Sequence, residues 1–230
     1  VIPFYQSSIG KKCIVALTGL VLIAYVLGHL AGNLQIFLNP ARINNYAAFL
    51  HSLGPMLWAV RVFLLGCFAL HILTTISLAV QNRAARPEKY ATNARVQATV
   101  AARSMLLSGL IVLSFVIYHL LHLTARTTDA RFKPIAEGGL LRGEHDVHTM
   151  VILAFQHHVV TGFYLLGVFL LCLHLSHGFS SILQTLGLNT SKTSKPVEMG
   201  GRVLAWAIFS GYASIPVCVW LGILKLHTGP

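Results

Sequence analysis

Residues 12–38 read KCIVALTGLVLIAYVLGHLAGNLQIFL. One lysine opens the run, no acid interrupts it, and a single imidazole, His29, sits in its second half. A stretch this apolar exceeds the ~20 residues that a bilayer core requires, so it reads as a membrane-spanning helix. His29 is then the anomaly, because an ionisable side chain in hydrocarbon is costly and marks a functional position. Three further apolar stretches each hold one deep histidine: His71, His119 and His174. One imidazole on each of four helices points to ligation of something large between them. Haem with histidine on both faces is the leading candidate.

Composition agrees with a membrane setting. The chain is 55% hydrophobic and 10% charged, with a mean hydropathy of +0.71, more apolar than a soluble domain of this length needs. Its net charge of +11 would suit a nucleic-acid binder, but the basic residues cluster at the ends of apolar runs, where membrane-helix flanks explain them. No nucleic-acid partner is expected. Cys13, Cys67, Cys172 and Cys218 each lie in a different apolar run and form no C-x-x-C pair. They are expected to be small buried hydrophobes rather than disulfides or iron–sulfur ligands. Lys11-Lys12 before an apolar run resembles a signal peptide, but that run is too long and lacks a small-residue cleavage site, so a retained first helix is expected.

Five spans are expected, at about 12–38, 55–82, 97–124, 157–186 and 200–226. Asn39-Pro40, Gly54-Pro55, Arg86-Pro87, the segment 125–147 and Lys192 to Pro196 separate them. Residues 145–155 read as a short helix at the interface. The fold class is therefore an all-α membrane protein, a five-helix bundle forming one domain over residues 1–230. Five spans put the termini on opposite sides. The side with Lys11, Lys12, Arg83, Arg86, Lys89, Arg95, Arg103, Lys192, Lys195 and Arg202 carries more Lys and Arg than the other. That side is expected to be cytoplasmic. Trp58, Trp206 and Trp220 fall near the expected span ends, as interfacial anchors would.

Depth follows from orientation. His29 lies about 26 Å along its helix from Lys12, and His119 about 24 Å from Arg103, both in the outer half. His71 is only about 18 Å from Arg83, and His174 is about 26 Å from His157 at the outer face, so both belong to the inner half. The four sort into an outer pair, His29 with His119, and an inner pair, His71 with His174. Two stacked bis-histidine b haems fit this pattern. The small residues Gly32, Gly167 and Gly178 fall on the histidine faces, where a porphyrin meets backbone. The bland alternative, in which each histidine merely bonds a neighbouring helix, stays open but fits four histidines in two depth layers less well. A zinc or copper site would need three or four ligands at one point. His122 and His177 lie close to His119 and His174 on the same helices. The deeper member of each pair is the expected ligand, and the other is left for a propionate or water.

The motifs then resemble a family. Ser7-Ser8-Ile9-Gly10-Lys11-Lys12 leads to Gly28-His29-Leu30 and Gly32-Asn33-Leu34-Gln35; Asn45-Tyr46-Ala47 and Leu53-Gly54-Pro55 follow, with Trp58, Arg61 and Leu70-His71-Ile72. Tyr118-His119-Leu120-Leu121-His122, Asp146-Val147-His148, His174-Leu175-Ser176-His177-Gly178-Phe179-Ser180-Ser181 and Gln184-Thr185-Leu186-Gly187 complete the series. Over nearly its whole length the chain resembles the dihaem cytochrome b anchor of succinate:quinone oxidoreductases (complex II), the class with one five-helix anchor. The resemblance implies two haem b groups, with iron ligands His29 and His119 for the outer haem and His71 and His174 for the inner. It also implies a flavoprotein subunit and an iron–sulfur subunit on the cytoplasmic face, which hold the FAD and the clusters and perform the dicarboxylate chemistry. A quinone, menaquinone in type, completes the expected partners, in the cytoplasmic membrane of a prokaryote with the N-terminus inside. His148 departs from the family, which often has Tyr there.

Asn33, Gln35, His122, Glu144, Asp146 and His148 are the candidates for a quinone or proton site near the outer haem, where protons must be carried. A solvated loop explains Glu144 to His148 equally well, and helix capping explains Asn33 and Gln35. His157-His158 are read as snorkelling interfacial imidazoles. Lys11, Lys12, Arg103 and His177 are the propionate candidates, although the basic three also serve as topology markers. Two other functions compete: the cytochrome b anchor of another respiratory oxidoreductase, and a haem-free transporter with a histidine proton relay. Anchors of nitrate reductase or formate dehydrogenase concentrate their ligands on fewer helices.

Overall fold

The computed structural model describes residues 3–85, 100–143 and 145–226, with 100–104 described by their backbone. Every regular element among the described residues is helical. Seven α-helices follow in order: α1 Ser8–Asn33, α2 Pro40–Ser52, α3 Pro55–Ala84, α4 Val100–His119, α5 Val147–Phe155, α6 His158–Thr185 and α7 Ser194–Trp220. Five helical segments are long and apolar enough to cross a membrane: Ser8–Phe37, Pro55–Ala84, Met105–Thr124, His158–Thr185 and Ser194–Trp220. The four cysteines are unpaired.

Local chemistry sets the helix ends. Ser7 Oγ accepts the Gly10 N–H at 3.0 Å, capping α1. Gly10 must be glycine, because a Cβ there would run into the Phe4 carbonyl. Leu188 N–H bonds to the Leu183 carbonyl beside Gly187 at φ +75°, which closes α6. At the far end of α4 the repeat loosens into a π-turn, Leu120–Thr124.

Three sequence expectations need correction. Asn39-Pro40 and Gly54-Pro55 are more than breaks, since they bracket helix α2. Asn39 Oδ1 accepts the Arg42 N–H at 2.9 Å with Pro40 at the first helical turn, where its missing N–H costs nothing. The short helix α5 is packed into the protein rather than laid on its surface: His148 and every residue from Met150 to Phe155 are buried. An interfacial helix would show one wet face. The last long helix, α7, begins at Ser194 and ends at Trp220, earlier at both ends than the expected span 200–226. Trp206 therefore lies inside α7, whereas Trp58 and Trp220 stay near helix ends.

The chain divides into two compact units. The first comprises Val1–Val26, Val60–Leu110 and Leu171–Trp206, and has a thin apolar core of Ala16, Ile23 and Ile182 with Leu175 against it. The second comprises Leu27–Ala59, Ile111–Leu170 and Ala207–Pro230. Its core is larger, built on α5 together with Ile36, Ile43, Phe115, Phe132, Leu141, Tyr164, Val168, Ile215 and Val219. Asp129 and Arg131 help seat this core. Their side chains pair at 2.6 Å, and Arg131 also donates to the Leu153 carbonyl near the end of α5 at 3.0 Å. The Arg131 hydrogen bonds hold the Asp129 carboxyl below the usual range, and the Arg131 guanidinium is raised in turn.

Candidate functional site

The four deep histidines fall two to a unit. His71 on α3 and His174 on α6 belong to the first, within electrostatic range of one another. Each ring meets a hydroxyl followed by a glycine on a neighbouring helix. His71 Nδ1 is 3.1 Å from Thr18 Oγ1, and a Cβ on Gly19 would lie 3.3 Å from His71 Cε1. His174 Nδ1 is 3.3 Å from Ser108 Oγ, and a Cβ on Gly109 would lie 3.4 Å from His174 Cε1. Glycine lets each ring lie against its helix, and the hydroxyl fixes one ring nitrogen.

The direction of these bonds is determined by the helix. Thr18 Oγ1 lies 2.7 Å from the Ile14 carbonyl. Two oxygens that close need a proton between them, and only the hydroxyl has one to give. Thr18 therefore accepts from His71 Nδ1–H. Ser108 Oγ lies 3.1 Å from the Met105 carbonyl, and with its proton on that carbonyl it accepts from His174 Nδ1–H at 3.3 Å. Both imidazoles are then the tautomer whose Nε2 carries a bare lone pair, the form that a metal ion takes up.

His29 and His119 meet in the second unit, on α1 and at the end of α4. Their ring centres are 5.9 Å apart, with planes at 84°. Two imidazoles on one metal ion, through bonds of about 2 Å, put their ring centres about 6 Å apart. Phe115 and Tyr164 flank His119, and Tyr212 faces His29. His119 Nδ1 is buried and has no hydrogen-bond partner among the described residues. No group of three or more His, Cys, Asp or Glu side chains that could hold a metal ion occurs among the described residues.

The glycines expected against a porphyrin are only partly free for that role. Gly32 packs on Tyr46, and Gly167 packs on the Phe115 ring. Gly178 has nothing within 4 Å of where a Cβ would stand. Thr18-Gly19 and Ser108-Gly109 were not singled out in the sequence. Their signal was a hydroxyl followed by glycine inside an otherwise apolar run.

His122 does not join His29. The π-turn puts it in the second core, 2% exposed, with Nδ1 3.0 Å from Tyr164 Oη and its ring stacked on Tyr118. A π-turn inside a helix is often a functional feature. Asn33 donates to the His29 carbonyl at 2.7 Å, which is the helix-capping role. Gln35 lies half-buried on the 3-10 turn Leu34–Phe37. His177 is half-buried and within electrostatic range of Glu198.

Asp146 and His148 border a cavity of about 390 Å³ in the second unit, with Asn44, Asn45, His145 and Arg142 also on its wall. Asp146 caps α5 through the Thr149 N–H, and also accepts from the Arg142 N–H and the Asn44 amide. Burial alone would raise its carboxyl, but these hydrogen bonds together hold it below the usual range. The His145 ring packs against His51 with ring centres 4.6 Å apart and planes tilted at 48°, and its buried Nδ1 has no partner among the described residues. Glu144 lies outside the described residues. At the other candidate cluster, Lys11 Nζ donates to Ser77 Oγ at 2.8 Å beside a cavity of about 270 Å³. Lys12 is exposed, and the Arg103 side chain lies outside the described residues.

Comparison with family models, with characterised proteins and with solved structures finds no match.

Proposed function

We propose that this chain is the dihaem cytochrome b anchor of a succinate:quinone oxidoreductase. In this reading it passes electrons between a cytoplasmic flavin and iron–sulfur dehydrogenase and membrane quinone of the menaquinone type. The observation that carries the reading is that the four deep histidines fall two to each compact unit, with the His29 and His119 rings side by side. The paired tautomers of His71 and His174, and the ring separation of His29 and His119, suit two bis-histidine irons. Haem, when bound, supplies a one-electron ferrous–ferric couple at each pair. The chain's own residues hold the rings, and the surrounding apolar side chains keep water away from them.

The cavity beside Asn44, Asn45, His145 and His148 suits a quinone head group in this scheme. Its amides and imidazoles offer hydrogen-bonding groups to quinone oxygens, and His145 Nδ1 has no hydrogen-bond partner among the described residues. Asp146 serves there as a fixed cap rather than a proton carrier. Lys11 is the propionate candidate with the best-placed surroundings, next to Leu70 and Thr74 on the His71 helix.

The test is chemical. A pyridine haemochrome assay on the complex purified from its membrane should give two b haems per chain, with flavin and iron–sulfur subunits co-purifying. One haem or none would overturn the reading. His145→Ala should impair quinone turnover while succinate oxidation by a soluble artificial acceptor continues. Unaltered quinone turnover would move the quinone elsewhere.

A further inference from the structure

We infer that Thr18 and Ser108 are positioning residues that set the reduction potential of the iron held by His71 and His174. The inference rests on the dihaem reading and goes beyond it. Each hydroxyl is the middle of a short relay: Ile14 C=O accepts from Thr18, which accepts from His71 Nδ1–H beside the Val15 carbonyl, a second acceptor for that ring, and Met105 C=O accepts from Ser108, which accepts from His174 Nδ1–H. A hydroxyl whose own proton is committed to a carbonyl is a stronger acceptor, because consecutive hydrogen bonds polarise one another. Drawing on Nδ1–H makes the imidazole more basic at Nε2. A more basic ligand favours ferric over ferrous iron and so lowers the potential. Both ligands of this pair carry the device, on helices α1 and α4, each beside a glycine that lets the ring approach. The other pair is built differently, since His119 Nδ1 has no such partner among the described residues.

The consequence is selective. Thr18→Val keeps the side-chain shape and removes the acceptor; Ser108→Ala does the same on the other ligand. In the complex purified from its membrane, each change should leave two haems per chain and raise the midpoint potential of one haem only. The double variant should raise it further. Thr18→Ser and Ser108→Thr retain the hydroxyl and should return that potential to its original value. Should Thr18→Val lose one haem outright, retention of that haem by Thr18→Ser still supports the inference, and its loss from both variants overturns it. Two bound haems with unmoved potentials, or equal shifts of both, overturn it as well. Absence of haem from the unaltered complex would instead remove the dihaem reading, so the two failures are distinguishable.

Discussion

At the scale of single residues, polar groups inside the bundle are held by bonds that form only when helices pack: Thr18 Oγ1 meets His71 Nδ1 at 3.1 Å, and Ser108 Oγ meets His174 Nδ1 at 3.3 Å. An imidazole in an apolar run is conspicuous because it is costly there. Thr18 and Ser108 are inconspicuous, because a hydroxyl in a helix can return its proton to its own backbone and cost little. Their second bonds, to His71 and His174, join residues far apart in sequence and exist only once helices pack. Asp146 shows the same limit in reverse. In the sequence it is an acid in a titratable cluster; in the fold it is a buried cap with several donors. Its folded carboxyl titrates below its unfolded value, so the unfolded chain binds more protons in the acidic range. The stability it contributes is present above the unfolded carboxylate value, about pH 4, and is lost as pH falls through the folded one. Thermal unfolding followed from neutral to acidic pH should show this loss. Asp146→Ala should lower stability by about 1 kcal/mol or more at neutral pH and flatten that acid limb. An unchanged acid limb in Asp146→Ala would assign the loss to other carboxylates.

At the scale of elements, length and hydropathy located the five long helices, since a span needs a long apolar run and little else. The short helices were harder. Helix α2 lies between two proline-containing breaks, and its cap, Asn39, also reads as a turn residue. Helix α5 is apolar all round, which marks a buried helix, but its shortness and the polar residues ahead of it suggested an interface. Its burial depends on α2 and the Asp129–Arg131 loop, which are far away in sequence. Ile152 is 0% exposed at the centre of this core. Ile152→Ala should therefore cost about 2 kcal/mol or more, the usual range for a buried isoleucine truncated in a core that cannot collapse. Thermal unfolding in detergent would measure it, and a change near zero would mean that α5 is not an essential part of its unit. Gly167 works by a different route. It lets α6 approach the Phe115 ring, which flanks His119, so the setting of His119 depends on a glycine on another helix.

At the scale of the whole molecule, the apolar surface argues for a membrane. Only 6% of the most apolar window of α3 is buried within the chain, and Val62, Phe63, Leu65 and Leu73 are all more than half exposed. So much apolar surface would be unfavourable in water and is natural in lipid. Pairing at this scale leads to the decisive functional prediction. Contacts divide the chain so that His71 and His174 lie in one compact unit and His29 and His119 in the other. Each proposed iron then depends on two helices and on one unit. His29→Ala and His119→Ala should each leave one haem per chain and the same residual spectrum. His71→Ala and His174→Ala should each leave the complementary spectrum, and His29→Ala with His71→Ala should leave no haem. Optical and electron paramagnetic spectra of the four single variants and this double variant measure the outcome. A common spectrum from His29→Ala and His71→Ala would break the pairing, because no single iron could then draw both its ligands from one unit.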